Sequence, residues 1–244
     1  MEIKLIAMDL DGTLTQHKSH MNAANRKTLE ALAKQYKLLM VGAGQVERIF
    51  KQMERFPIDI IGNYGLQYGE YCSETGEIKI IRDMKCSCDS ENIERKVTEL
   101  RERFGYTEFY GDNVEYHPSG CVTIPLLGTA AAKEKKLAFD PDRTKRRKIY
   151  RDVCETFPEY SVFVGGSSSF DMAPKPYNKY YALDSYCNEK GYLHGEVVYI
   201  GDDYGMGGND ESVYQSDFNY LKIDNFEDFP EIVGSLLRYS HSSI

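Results

Sequence analysis

The chain opens with a short apolar run, Ile3 to Met8, that stops on two aspartates one residue apart: "IKLIAMDLDGTLTQH". A run of this length and make-up reads as a buried strand. Whatever fold contains it must therefore place Asp9 and Asp11 at the strand's carboxyl end. Residues two apart on an extended chain point the same way, so both can face one small volume, and Gly12 lets the chain turn sharply straight after them. Two carboxylates held close repel, and the pair needs solvent or a cation. One short stretch thus implies both a sheet edge and an acidic cluster.

Strand and helix signals alternate around it. Asn22 to Tyr36 reads as a helix with Leu29, Leu32 and Tyr36 on one face, Leu38 to Val41 as a strand running into "GAGQ", Val46 to Met53 as a helix and Ile58 to Ile61 as a strand. The last third repeats the style. It gives a helix over Tyr180 to Glu189, a strand in "EVVYIGDD", a short helix after Asn209, a strand over Phe218 to Ile223 and a closing helix over Phe229 to Leu237. Strands separated by helices of this length imply right-handed crossovers and a parallel sheet. The middle differs, with a charged amphipathic helix over Glu91 to Phe104, the strands "CVTIPLL", "YSVFVGG" and "SSFDMAP", and a helix after the start signal Asp140, Pro141, Asp142. The expectation is an α/β, Rossmannoid parallel-sheet core over residues 1–84 and 175–244, interrupted by an α+β cap domain over 85–174. A length of 244 residues suffices for two modest cores.

Charge and composition narrow the partners. A net charge of −8 argues against general affinity for nucleic acid or anionic membrane, both of which select basic surfaces. The basic run "RTKRRK", Arg143 to Lys148, reads as a solvated helix face. No apolar run approaches the roughly 18 residues of a membrane span. Glu2 and Lys4 stand where a signal peptide would be apolar, so a cytoplasmic protein is expected. The six cysteines form no regular framework and read as thiols, and the Cys86, Cys88 pair lacks a second pair at zinc-finger spacing.

A second acidic group, Asp202 and Asp203 in "VVYIGDDYGMGGND", also follows an apolar strand. Ligands of parallel α/β sheets bind beyond the carboxyl ends of the strands, and both groups reach that rim. Carboxylates gathered there call for a hard cation, and Mg²⁺ held by carboxylates, water and a substrate phosphate answers the need. A calcium loop would need its glycine at the sixth position from the first Asp, and Gly12 stands at the fourth; no phosphate-loop motif is present, and "GAGQ" lacks the third glycine of a dinucleotide fingerprint.

"DLDGTLT", a lysine ahead of "GDD", the tail "GGND", and the stretches "NYGLQYG" and "FVGGSSSFDMAPKPYNKYYAL" together resemble the haloacid dehalogenase (HAD) superfamily of phosphotransferases. Within it the sequence is similar to the eukaryotic-type phosphomannomutases and the related sugar-phosphate phosphatases with an α+β cap. The resemblance implies a HAD-like core with Asp9 as nucleophile, forming an aspartyl-phosphate, and Asp11 as general acid and then base. It implies Mg²⁺ bound by Asp9, the backbone carbonyl of Asp11 and Asp202, with Asp203, Asn209 and Asp210 as further direct or supporting groups. Lys179, or Lys175 nearby, would neutralise the phosphoryl group, and Thr13 would contact it. At the second strand end the superfamily usually offers a Ser or Thr hydroxyl. Here Gly42, Ala43, Gly44 and Gln45 stand instead, leaving the N–H groups of Ala43 and Gly44 or the Gln45 amide as phosphate donors.

In the mutases three cap arginines grip the non-reacting phosphate. Their slots here hold His117 or Pro118, then Thr129, then Lys136, while the cap Ser and Asp that contact substrate are matched by Ser169 and Asp171. One cation in place of three suits a phosphatase, which needs to hold one phosphate, better than a mutase, which must grip both ends of a bisphosphate. The expected function is Mg²⁺-dependent hydrolysis of a small phosphorylated metabolite, with a phosphohexomutase and a non-catalytic sugar-phosphate binding protein as alternatives. The expected state is a monomer or a cap-mediated homodimer.

Overall fold

The computed structural model of the protein describes residues 2–17 and 19–239. The chain runs through β1 (Leu5–Met8), α1 (Ala23–Leu32), β2 (Lys37–Val41), α2 (Val46–Gln52), β3 (Asp59–Gly62), β4 (Gln67–Cys72), β5 (Glu77–Asp83) and α3 (Ser90–Phe104). It continues through β6 (Glu115–Tyr116), β7 (Val122–Pro125), α4 (Lys133–Phe139), α5 (Thr144–Thr156), β8 (Tyr160–Phe163) and β9 (Ser169–Pro174). The last elements are α6 (Lys179–Lys190), β10 (Val197–Gly201), α7 (Glu211–Tyr214), β11 (Asn219–Lys222) and α8 (Phe229–Tyr239). Two compact units result. The first comprises the chain up to Asp83, Lys179–Tyr204 and the chain from Asp210; the second comprises Met84–Asn178 and Gly205–Asn209. Residues 175–178 and 205–209 thus group with the inserted unit, whereas the sequence boundaries placed them in the core.

The first unit is built on a seven-stranded sheet in the order β11-β10-β1-β2-β3-β4-β5. The five strands from β11 to β3 are parallel, and β4 and β5 run antiparallel at one edge. Side chains alternate between the faces, so Leu5 and Ala7 join Leu39, Val41, Val197 and Tyr199 beneath α6, while Ile6 and Met8 join Met40, Ile60 and Ile200 with residues of α1, α2 and α8. Every residue of β1 is fully buried, which is why it reads as an unbroken apolar run. Each large side chain so buried contributes roughly 1.5–3 kcal/mol.

Two local differences from the sequence expectation have simple causes. Helix α1 is capped by Asn22, whose side chain accepts the Asn25 N–H at 2.8 Å, but it ends at Leu32. Lys37 is already paired with Leu5, so residues 33–36 must reverse the chain and cannot extend the helix. The β4–β5 hairpin adds an edge the sequence reading did not include: β5 alternates between exposed residues and the half-buried Ile78 and Ile80, which pack on the core.

The inserted unit is an antiparallel sheet in the order β6-β7-β9-β8. One face, with Val122, Ile124, Phe170, Met172 and Val162, packs on Ile93 and Val97 of α3 and Ile149 and Val153 of α5. The start signal before α5 works through Asp140, which accepts the N–H groups of Lys145 and Arg146 at 2.9 and 3.0 Å and pairs with the Arg146 guanidinium at 2.8 Å. Arg146 is fully buried, so the basic run is not wholly a solvated face: one of its cations is a core anchor that also donates to the Gly165 carbonyl. No helix among the described residues is long and apolar enough to cross a membrane.

Candidate active site

The site begins where β1 ends. The Asp9 N–H continues the ladder by donating to the Ile200 carbonyl at 2.9 Å, and then the chain winds about a single acceptor. The Leu10 carbonyl takes the N–H groups of Thr13, Leu14 and Thr15 at 3.3, 2.9 and 3.1 Å. Gly12 sits at φ +101°, and a Cβ there would fall on the Asp202 carboxylate, so glycine is what lets this loop approach the end of β10. The winding also bears on an expectation: beyond Asp9 the chain is no longer extended, and the strand period does not carry on to Asp11.

The carboxylates that do converge are Asp9, Asp202 and Asp210, with one oxygen from each lying within 4.8 Å of the others. Asp11 and Asp203 lie outside this group. Asp203 instead zips to Asp210 through the backbone, its N–H donating to Asp210 Oδ2 and its carbonyl accepting the Asp210 N–H, both at 3.1 Å. Thr13, expected at the phosphate, turns its hydroxyl to Asp202 Oδ1 at 3.0 Å.

Lys179, the first residue of α6, is completely buried and donates to Asp9 Oδ1 and Asp210 Oδ1, each at 2.7 Å. A cation at a helix N-terminus opposes the helix dipole, and two charge-assisted hydrogen bonds offset that cost. Lys175, the other lysine considered, is exposed. The Tyr199 hydroxyl adds a further donor to the group, reaching Asp210 Oδ1 at 2.6 Å.

Three carboxylates face one ammonium. Burial alone would lower the Lys179 pKa, but Asp210 and Asp9 outweigh it and hold the side chain cationic. Burial pushes the Asp9 carboxyl well above the usual range; Lys179 opposes this, and the charges of Asp210 and Asp202 add to it. Burial, then Asp210, lifts Asp202 to about 6. The cluster therefore carries more negative charge than its surroundings neutralise, and its donors are all hard oxygens, which fits a small divalent cation.

Asp11 has a different setting. Its Oδ1 accepts a hydrogen bond of 2.6 Å from Gln52 Nε2, and Arg48 Nη1 lies 3.7 Å from its Oδ2. Gln52, buried at the end of α2, also donates to Thr15 Oγ1 at 3.0 Å and accepts from Arg48 Nη1 at 2.9 Å. The "GAGQ" loop between β2 and α2 is held by the chain after β3, where the Asn63 N–H donates to the Gly44 carbonyl at 2.8 Å and the Tyr64 N–H to the Gly42 carbonyl at 3.3 Å. Asn63 and Tyr64 take φ values of 48° and 58°, unusual for residues with side chains. Gln45 is exposed and leaves α2 uncapped; Gln67 Oε1 accepts the Val46 N–H at 2.8 Å in its place.

Within the inserted unit, Lys136 Nζ donates to the Thr129 carbonyl at 2.8 Å, and the Thr129 hydroxyl accepts the Asp112 N–H at 2.8 Å. On the polar face of the sheet the Thr123 hydroxyl contacts His117 Nε2 and donates to Asp171 Oδ1, both at 3.0 Å. Ser169 donates its hydroxyl to the Gly165 carbonyl at 3.1 Å, and Asn209 belongs to the segment grouped with this unit.

Sequence reasoning missed Tyr199, Gln52 and Arg48. The first leaves a trace that could have been read: Tyr199 carries a hydroxyl in a strand whose other residues are apolar and buried.

The sequence matches the family model for eukaryotic phosphomannomutase over residues 25–221. The phosphomannomutase of Saccharomyces cerevisiae is 24% identical over 228 residues, which cover 86% of this chain and 84% of that protein. Among solved structures, the IMP-bound, N-terminally truncated IMP-nucleotidase of Plasmodium falciparum shares the fold with a TM-score of 0.69 at 14% identity, covering 97% of this chain and 68% of that one. A trehalose-6-phosphate phosphatase related protein does so with a TM-score of 0.54 at 15% identity, covering 99% of this chain and 100% of that one. With the family matched over most of its length and a fold shared with phosphatases, the chain belongs to the eukaryotic phosphomannomutase family, within the HAD superfamily of enzymes.

Proposed function

We propose that the protein is a Mg²⁺-dependent phosphatase of a small phosphorylated metabolite, a sugar phosphate by its kinship, and that Asp9 accepts the phosphoryl group. The observation that carries this reading is the buried Lys179 held between Asp9 and Asp210, beside Asp202. Lys179 pins one Asp9 oxygen and leaves the other to attack phosphorus. As the ester P–O bond breaks, Asp11, held by Gln52, protonates the leaving oxygen. The same carboxylate then takes a proton from water, whose oxygen attacks the aspartyl-phosphate, releases inorganic phosphate and restores Asp9. Mg²⁺ held by Asp9 and Asp202, with Asp210 in support, would neutralise the charge of an incoming phosphate among these carboxylates.

Hydrolysis is favoured over mutation by the state of the inserted unit. Of the three slots that hold arginines in the mutases, one keeps a lysine, and Lys136 is folded onto the Thr129 carbonyl. A mutase reading draws its support from the family match itself. Incubation with a hexose 1-phosphate and its bisphosphate activator separates the two: inorganic phosphate supports the phosphatase, and a 6-phosphate product supports the mutase. Asp9→Asn and Asp11→Asn should each abolish phosphate release across a panel of sugar phosphates. Undiminished release by either variant would remove the mechanism, and binding without any release would leave a ligand-binding protein.

A further inference from the structure

The phosphate end of the site, as read above, lacks a side-chain hydroxyl at Gly44, and the space beside that glycine is taken. A Cβ built on Gly44 would fall within the Arg48 guanidinium. This guanidinium is fixed from one side: Nη1 donates to Gln52 Oε1 at 2.9 Å, and Gln52 is itself buried and tied to Asp11 and Thr15. The contact with Asp11 is a charge contact of 3.7 Å, too long for a hydrogen bond. Nε and Nη2 have no hydrogen-bond partner among the described residues, and the side chain is 43% exposed.

An arginine anchored through one nitrogen, with its other donors open, is arranged to take an oxyanion in a forked pair of hydrogen bonds. Charge points the same way. Asp9, Asp202 and Asp210 already gather beside Lys179, with Asp11 held next to Arg48, and a phosphate entering this group needs positive charge beyond one lysine and one metal ion.

We propose that Arg48 binds the phosphoryl oxygens directly and takes the part of the missing hydroxyl, with Gly44 as the residue that makes room for it. The inference rests on the phosphoryl-transfer reading of the site but not on hydrolysis as its outcome. Gly44 and Arg48 then form a matched pair: a side chain at one position excludes the guanidinium placed by the other.

The test compares wild type, Arg48→Met, Arg48→Lys, Gly44→Ser and the double variant Gly44→Ser/Arg48→Met. Two readouts are used: the affinity for inorganic phosphate in the presence of Mg²⁺, measured by calorimetry, and kcat/KM for p-nitrophenyl phosphate. Because Arg48 is half exposed, the fold should survive, and thermal denaturation of each variant checks this. Arg48→Met should weaken phosphate binding about tenfold or more and lower kcat/KM by about 10²-fold or more, as loss of a preorganised donor does. Arg48→Lys should fall between, because it keeps the charge and loses the fork. Gly44→Ser should impair the wild type yet improve the Arg48→Met protein by supplying a hydroxyl. Phosphate affinity unchanged by Arg48→Met overturns the proposal, even if turnover falls, since the arginine would then act only through Asp11. If the wild type binds phosphate through Arg48 but hydrolyses no ester, the phosphatase reading fails and this one stands.

Discussion

Replacing Lys179 by methionine is the perturbation whose size the structure fixes best. The side chains are similar in length, so packing is nearly kept, and what disappears is a buried ammonium with hydrogen bonds of 2.7 Å to Asp9 and Asp210. Breaking a buried ion pair from one side costs about 3–5 kcal/mol, because the partner charges remain. Here they have an escape, which is to bind a proton. Burial already pushes the Asp9 carboxyl up, and loss of the lysine removes the influence that opposes this. A folded-state carboxyl with a raised pKa binds protons that the unfolded chain has released, so the variant's stability must fall as pH rises. For each proton that the folded variant binds beyond the folded wild type, the slope is about 1.4 kcal/mol per pH unit, or roughly 3 kcal/mol between about pH 5.5 and about pH 7.5. Urea unfolding of both proteins in chelator, over that range, measures it. The expected penalty is a few kcal/mol near pH 7.5 and much smaller near pH 5.5. A penalty below about 1 kcal/mol that does not vary with pH would refute the description of Lys179 as the counter-ion of this cluster.

Other substitutions probe separate parts of the argument. Gly12→Ala places a side chain on the Asp202 carboxylate at a φ of +101°, and should cost at least about 1–2 kcal/mol and weaken Mg²⁺ binding; calorimetric titration and urea unfolding check both effects. Asp140→Ala leaves the buried Arg146 without its carboxylate and should lower stability by about 3–5 kcal/mol, read as an early thermal transition. His194 is flanked by Asp184 and Asp217 at 2.9 and 2.7 Å; burial works to lower its pKa, but the two carboxylates outweigh it, and the net shift is upward. Its contribution is therefore fully present below the ordinary value of 6.5 and is lost as pH rises through the folded-state value. The stability gap between wild type and His194→Gln should shrink accordingly, from a starting size of about 1 kcal/mol or less, since the pair is partly solvated.

What the sequence made legible was governed by burial and period. The wholly buried β1, the alternation of strands and helices, and the acidic residues at two strand ends all follow from short-range pattern, and Asp9 and Asp202 do meet. The strand period stops short of Asp11 because the chain coils around the Leu10 carbonyl as soon as β1 ends, ahead of the glycine that marks the turn in the sequence. The roles of Tyr199 and Gln52 were not legible for another reason: their contacts run to Asp210 and Asp11, residues that are near only in space. Arg48 on a helix with polar neighbours carries no sequence signal at all. Its position matters only because the residue facing it, Gly44, has no side chain.

The account as a whole turns on Asp9 as the group that receives phosphorus, and labelling tests this most directly. The protein is mixed with radiolabelled p-nitrophenyl phosphate and Mg²⁺, quenched in acid during turnover and digested. Label on the peptide that contains Asp9, appearing before inorganic phosphate and absent in Asp9→Asn, is the predicted result. Steady release of phosphate with no label on that peptide at any time would contradict it.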